Sequence, residues 1–138
     1  MTLPFILASG SPRRRELLTS LGIAFTVVKP DIDETERPGE DPVAYVRRLS
    51  QEKAQAVAAR LSEPSAILAA DTTVIFAGRI RGKPAKAGEA RAMLAALRDT
   101  AHTVCTALTL RRTDAPERSR TEHTITTVIM RPYTDGEI

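Results

Sequence analysis

The sequence predicts an α/β domain, and three observations predict it. Apolar β-type runs alternate with segments of helical spacing between residues 4 and 99. The last two Thr/Val/Ile-rich runs are joined by a polar turn, as in an antiparallel pair. The hydrophobic fraction is 42%, enough for a packed core, yet aromatics are only 4% and Trp is absent. Leu, Val, Ile and Ala must therefore build that core.

The elements follow in order. PFILAS (4–9) reads as a buried strand. PRRRELLTSLG (12–22) is a short helix, with Ser11 as its cap, Pro12 at its first position and Gly22 at its C-terminal end. IAFTVVK (23–29) is a second strand, and PDIDETERPGE (30–40) is an acidic loop bounded by Pro and Gly. The strongest helical signal covers 41–61, where Asp41 caps, Pro42 follows and helix formers continue for several turns. SAILAADTTVIFAGRI (65–80) is a strand that bends into a turn at Ala77-Gly78. Residues 86–99 form a third helix. Strands at 102–112 and 121–133 flank the turn TDAPERS. Thr134 with Glu137 three residues on has the spacing of a capping box. The chain stops as that helix begins, which reads as a shortened version of a longer domain.

Size and composition narrow the function. A chain of 138 residues fits a single domain spanning 1–138. No apolar run reaches membrane-spanning length, so no membrane partner is expected. The N-terminus lacks the basic start and long apolar stretch of a signal peptide. The lone cysteine, Cys105, excludes an internal disulfide and a Cys-cluster metal site, and a reducing cytoplasm is the simplest setting. The 20 Lys and Arg against 17 Asp and Glu are interleaved, without the dense basic stripe and aromatic platforms of a nucleic-acid binder. A small anionic ligand fits the excess, and no nucleic acid is expected.

Three features break local rules, as functional residues often do. Arg13, Arg14 and Arg15 occupy the first turn of a helix, where the dipole disfavours cations and free N–H groups favour an anion. Solvated arginines are the bland alternative. However, Arg14 shares a face with Leu18 and Leu21, and guanidinium groups make bidentate bonds to phosphate. Lys53 lies near the centre of the stripe formed by Val46, Leu49 and Val57, where a lysine either snorkels outward or meets a partner. Asp71 interrupts an apolar, β-prone run, so it starts a turn or is paired inside the fold. The acidic loop adds Asp31, Asp33, Glu34 and Glu36. RGKP (81–84) fails as a P-loop, since Ala77 and Pro84 stand at required Gly and Ser/Thr positions, but Lys83 can still serve as a point charge. His102 and His123 lack metal-ligand spacing and read as structural or surface residues.

LASGSPRRRELL, DIDE before a long helix, YVRRLSQEKA, AADTTV, GKP, MLAALRDTAHTVCT and TTVIMR occur in this order over nearly the whole chain. Together they resemble the Maf family of nucleoside triphosphate pyrophosphatases. The resemblance implies an α/β Maf/Ham1 (ITPase-like) fold: a mixed twisted sheet flanked by helices, with a cleft between two lobes. It implies hydrolysis of a nucleoside triphosphate between the α and β phosphates, with a divalent cation, Mg²⁺ or Mn²⁺. Carried over by motif, Asp71 is similar to the family's proton acceptor. Ser9, Ser11, Arg13, Arg14, Lys53, Thr72 and Lys83 are the expected substrate and phosphate contacts. Arg13 and Thr72 match the selectivity positions, and Glu34 with Asp71 the expected metal ligands. A homodimer is a candidate assembly.

Arg13 and Thr72 look like the branch that prefers dTTP and UTP, rather than the 7-methyl-GTP branch with its aromatic after SP and Gln after the aspartate. Two departures stand out. Family members continue past Ile138 into a KAGAY…Q segment with a further site glutamine. Arg98-Asp99 and Ala107 replace a usual Ser-Gly and Gly, which implies an altered turn. The alternatives to an active pyrophosphatase are a nucleotide-binding or regulatory module that retains the phosphate cleft, and a nucleic-acid binder.

Overall fold

One long strand organises the chain. In the computed structural model, which describes residues 2–138, β3 (Ala66–Phe76) lies at the centre of a mixed sheet. β5 (Ala101–Arg112) pairs antiparallel along nearly its full length, from Ala66↔Arg112 to Ile75↔Thr103. β6 (Arg120–Ile129) pairs antiparallel with β5 beyond it. The other edge of β3 is shared. β1 (Phe5–Ala8) runs parallel to Ala66–Ala69, and β4 (Arg79–Arg81) runs antiparallel to Val74–Phe76. Between these two partners, residues 70–73 of β3 have no strand on this edge, although β5 pairs with them on the other.

Local chemistry accounts for the boundaries. α1 (Pro12–Ser20) begins as expected: Ser11 Oγ accepts the Arg14 N–H at 3.4 Å, and Pro12 stands in the first turn. Past its end, Gly22 takes φ +75°, the left-handed conformation that glycine reaches at little cost. The helix stops before Leu21, so Leu21 leaves the face it was expected to share with Arg14 and is exposed, while Leu18 is buried. β2 spans only Thr26–Val28, not 23–29, because β1 offers just Ile6, Leu7 and Ala8 as partners. The 65–80 run divides at Ala77-Gly78 into β3 and β4. Both turn residues have positive φ, as a two-residue hairpin following the right-handed twist requires. α3 (Ala87–Leu97) ends at Arg98, and Asp99 at φ +54° makes the turn into β5.

α2 (Pro42–Ala58) covers one face of the sheet. Asp41 Oδ2 accepts from the N–H groups of Val43 and Ala44 to cap it. Its apolar stripe seats two clusters. Ala54 and Val57 pack on Ile6, Ala8, Ile67 and Ala69, whereas Val46 packs on Cys105 and Ala107. Full burial of each large aliphatic side chain contributes roughly 1.5–3 kcal/mol. Ser50 and Lys53 lie between the clusters. The Ser50 hydroxyl is buried against Thr109 at 2.7 Å, which locks the helix to β5.

The expected capping box does not form. Thr134 precedes a single 3-10 turn (Asp135–Glu137) and makes no side-chain cap bond. The Glu137 carboxylate is instead paired with Arg131 at 2.7 Å, so it cannot reach back to the Thr134 N–H. β6 likewise ends at Ile129, where its partner β5 runs out at Ala101. Among the described residues, no helix is long and apolar enough to cross a membrane.

Candidate active site

The stretch of β3 that is open on one edge collects the chemistry. The chain leaving β1 at Ala8 runs alongside residues 70 and 71, so Ser9, Gly10 and Ser11 form one rim. β4 pairs antiparallel with β3 up to Arg81↔Val74, where the chain leaves it at the other end of the gap. A pleated strand alternates its side chains. Asp71 therefore faces α2, and Thr72 faces the opposite side, toward α1.

On the α2 side, Lys53 Nζ donates to Asp71 Oδ1 at 2.9 Å and lies 3.5 Å from Glu34 Oε1. Asp71 is only 6% exposed, and the Lys53 side chain 13%. The lysine of the apolar stripe thus has partners and is held inside. Burial raises the Asp71 carboxyl above the ordinary aspartate range, opposed by the hydrogen bond and charge of Lys53. Such a carboxylate is a better proton acceptor than a solvated one. Glu34 is the most open member, its side chain 57% exposed.

On the α1 side, Arg14 Nη2 donates to Thr72 Oγ1 at 3.1 Å, and the Thr72 and Thr106 hydroxyls are 2.9 Å apart. Ser9 is buried, and its Oγ accepts the Ser11 N–H at 3.0 Å, shaping the turn into α1. Arg13 and Arg15 are exposed. Lys83 is exposed too, and lines a concavity of about 450 Å³ with Ile80, Arg81, Glu89 and Leu97. That hollow contains neither Asp71 nor Lys53, and a second of about 480 Å³ lies against Tyr133 and Ile138. The first carries Arg81, Lys83 and Glu89 and the second the exposed Arg131–Glu137 pair, whereas the β3 gap holds a buried ion pair, Lys53 with Asp71. The two histidines stay outside the site. His102 is buried, and exposed His123 lies 2.8 Å from Arg47 through Nδ1.

Sequence reasoning missed the clamp on the acidic loop. Tyr45 Oη donates to the Glu34 carbonyl at 2.6 Å, and Arg48 Nη2 donates to the Thr35 carbonyl at 3.1 Å. Arg48 also holds Glu40 through two bonds and Glu52 one turn on, pushing the Glu40 pKa down to about 2. The one signal present was spacing: Tyr45, Arg48 and Glu52 share a helix face with Arg48 and Glu52 four apart. Thr106 gave no signal at all, because its partner Thr72 is on another strand.

A metal can be judged by donors. Among the described residues, no group of three or more His, Cys, Asp or Glu is placed to hold an ion. Glu34 and Asp71 meet on one ammonium, however. Two carboxylates suit Mg²⁺, which takes the rest of its shell from phosphate and water.

Residues 4–138 match the family described as Maf-like protein. The chain belongs to the Maf family. The dTTP/UTP pyrophosphatase of Alcanivorax borkumensis is 48% identical over 128 residues, 92% of this chain and 65% of that protein. The same-named protein of Halalkalibacterium halodurans is 49% identical over 137 residues, covering 98% and 69% respectively. One from an Anaeromyxobacter species is 50% identical over 112 residues and is spanned for 52% of its length. The chain thus covers about half to two thirds of these curated relatives. Among solved structures, a Ham1 protein from Staphylococcus aureus aligns over 91% of this chain and 71% of its own, with TM-score 0.57 and 14% identity. One from Coxiella burnetii aligns over 93% and 73%, with TM-score 0.54 and 19% identity. These likenesses bear out the Maf/Ham1-type α/β fold.

Proposed function

We propose that this chain hydrolyses nucleoside triphosphates, dTTP and UTP foremost, to the monophosphate and pyrophosphate. The observation that carries the reading is the buried Asp71 carboxylate, ion-paired to Lys53 at an open strand edge with Arg14 on the other side. The names of relatives about half identical to it support the substrate.

The residues divide the work. Asp71 orients a water and takes its proton as the water oxygen bonds to the α phosphorus. The bond from that phosphorus to the bridging oxygen breaks, and pyrophosphate leaves with the electron pair. Lys53 and Arg14 supply fixed positive charge to the phosphate oxygens, and exposed Lys83, two residues beyond β4, is a further point charge for the polyphosphate. Ser9 and Ser11 shape the turn whose N–H groups face the anion. Arg13 and Thr72 contact the nucleoside end. Glu34 and Asp71 would hold a divalent cation, Mg²⁺ or Mn²⁺, which neutralises phosphate charge and polarises the water when bound. The buried free thiol of Cys105 suits a reducing, cytoplasmic setting.

The test is pyrophosphate release with Mg²⁺ across a panel of dTTP, UTP, dCTP, dATP and 7-methyl-GTP. Release from dTTP and UTP above the others is expected. Binding without release would favour a regulatory module, and a preference for 7-methyl-GTP would refute the pyrimidine assignment.

A further inference from the structure

Glu34 is the least anchored member of the site. The chain from Lys29 to Asp41 forms neither helix nor strand, and the Glu34 side chain is 57% exposed. Its carboxylate lies 3.5 Å from Lys53 Nζ, beyond the range of a good hydrogen bond. That contact is too weak to fix an acidic loop. The position of the carboxylate is therefore set by whatever holds the backbone behind it.

α2 holds that backbone. The carbonyls of Glu34 and Thr35 accept from Tyr45 Oη at 2.6 Å and from Arg48 Nη2 at 3.1 Å, two donors one helical turn apart. Arg48 is itself fixed on every side. Its Nε and Nη2 hold Glu40 at the far end of the loop, its Nη1 holds Glu52, and its guanidinium stands 5.6 Å from the centre of the Tyr45 ring. One planar group thus ties both Thr35 and Glu40 to the helix that carries Lys53. An ammonium could not span these partners as a fork does. We infer that Arg48, assisted by Tyr45, is a positioning residue for Glu34. It acts through the loop backbone and sets the Glu34 carboxylate where it can share a divalent cation with Asp71. This rests on the metal role given to Glu34 above, and adds two residues that touch neither substrate nor cation.

The experiment is binding of Mn²⁺ alone, without nucleotide, read from the paramagnetic signal of the free ion. Arg48→Met is made together with Glu40→Gln, so that no buried carboxylate is stranded, and Glu40→Gln alone is the control. The pair should bind Mn²⁺ roughly 10- to 100-fold more weakly than the control, the usual cost of losing a group that orients a ligand. Tyr45→Phe leaves every charge in place and should shift the affinity the same way by less, which keeps the test open if the Arg48 variant does not fold. Each variant is then repeated with Glu34→Gln. A positioning residue has nothing left to position there, so the further loss should vanish, whereas a merely structural residue would weaken binding equally in both backgrounds. The inference is overturned if either folded variant keeps the affinity of its control, or loses as much with Glu34→Gln as without it. A parent that binds Mn²⁺ no better than Glu34→Gln refutes the metal role of Glu34 and the inference with it. Pyrophosphate release by the parent is read separately, so failure of the reaction and failure of this inference are distinguishable.

Discussion

Asp71→Asn separates a chemical role from a structural one. The carboxylate does two things: it faces the β3 gap and it accepts the Lys53 ammonium at 2.9 Å. Asparagine keeps the size and leaves an oxygen for Lys53, so the ammonium is not stranded. Its stability cost is that of weakening one charged hydrogen bond, ~1–2 kcal/mol, below the ~3–5 kcal/mol of leaving a buried charge unpaired. Asp71→Ala should incur that larger cost. Activity should not follow stability. Both variants lose the proton acceptor, so pyrophosphate release from saturating dTTP should fall by ~10²–10⁴ in each. Urea unfolding beside the release assay gives both quantities. If the asparagine variant retained parental activity, or if loss of rate merely tracked loss of stability across the two variants, Asp71 would be only Lys53's counter-ion.

Four further outcomes are expected. Arg14→Lys should raise KM for the triphosphate much as Arg14→Ala does, because an ammonium cannot bond Thr72 and a phosphate as a planar fork can; steady-state kinetics on dTTP decides. Tyr45→Phe removes the bond to the Glu34 carbonyl while keeping the ring, so hydrogen exchange over residues 33–40 should quicken, with ~0.5–1.5 kcal/mol less local stability. Glu40 has a folded pKa of about 2 against 4.5 unfolded, so its stabilisation is present above pH 4.5 and is lost as pH falls toward 2. Glu40→Gln should flatten the pH dependence of the urea midpoint in that window. Ala77→Asn places Asn-Gly in a hairpin turn whose two residues both have positive φ, and should stabilise the chain by ~0.5–1 kcal/mol by thermal melt without changing KM.

What could be read from the sequence was what local chemistry decides. Asp41-Pro42, Ser11-Pro12 and Ala77-Gly78 each specify their own backbone, and all three features appear where expected. The strangeness of Lys53 and Asp71 was legible too, since a charge in an apolar pattern shows in one dimension. That they resolve each other was not, because the pairing joins α2 to β3 across eighteen positions. The gap in the β3 edge was invisible for the same reason: it is defined by where β1 stops and β4 starts on a third strand. Local signals also misled where a distant partner intervened. Arg131 took the carboxylate that the Thr134 capping box needed, and the short β1 cut β2 to three residues.

The alternation of β3 sets a constraint of a different kind. Asp71 and Thr72 are neighbours in sequence but address opposite sides of the sheet, one meeting Lys53 and the other Arg14. Deleting one residue just before Ile67 would bring a threonine to the ammonium and a carboxylate to the Arg14 side, while turning Ile67 and Ala69 out of the core. Length changes in the 113–119 turn carry no such penalty. The spacing between the start of β3 and Asp71 is therefore as much a part of the chemistry as the identity of Asp71, and drift in this chain is free to change loop lengths but not to count differently along this strand.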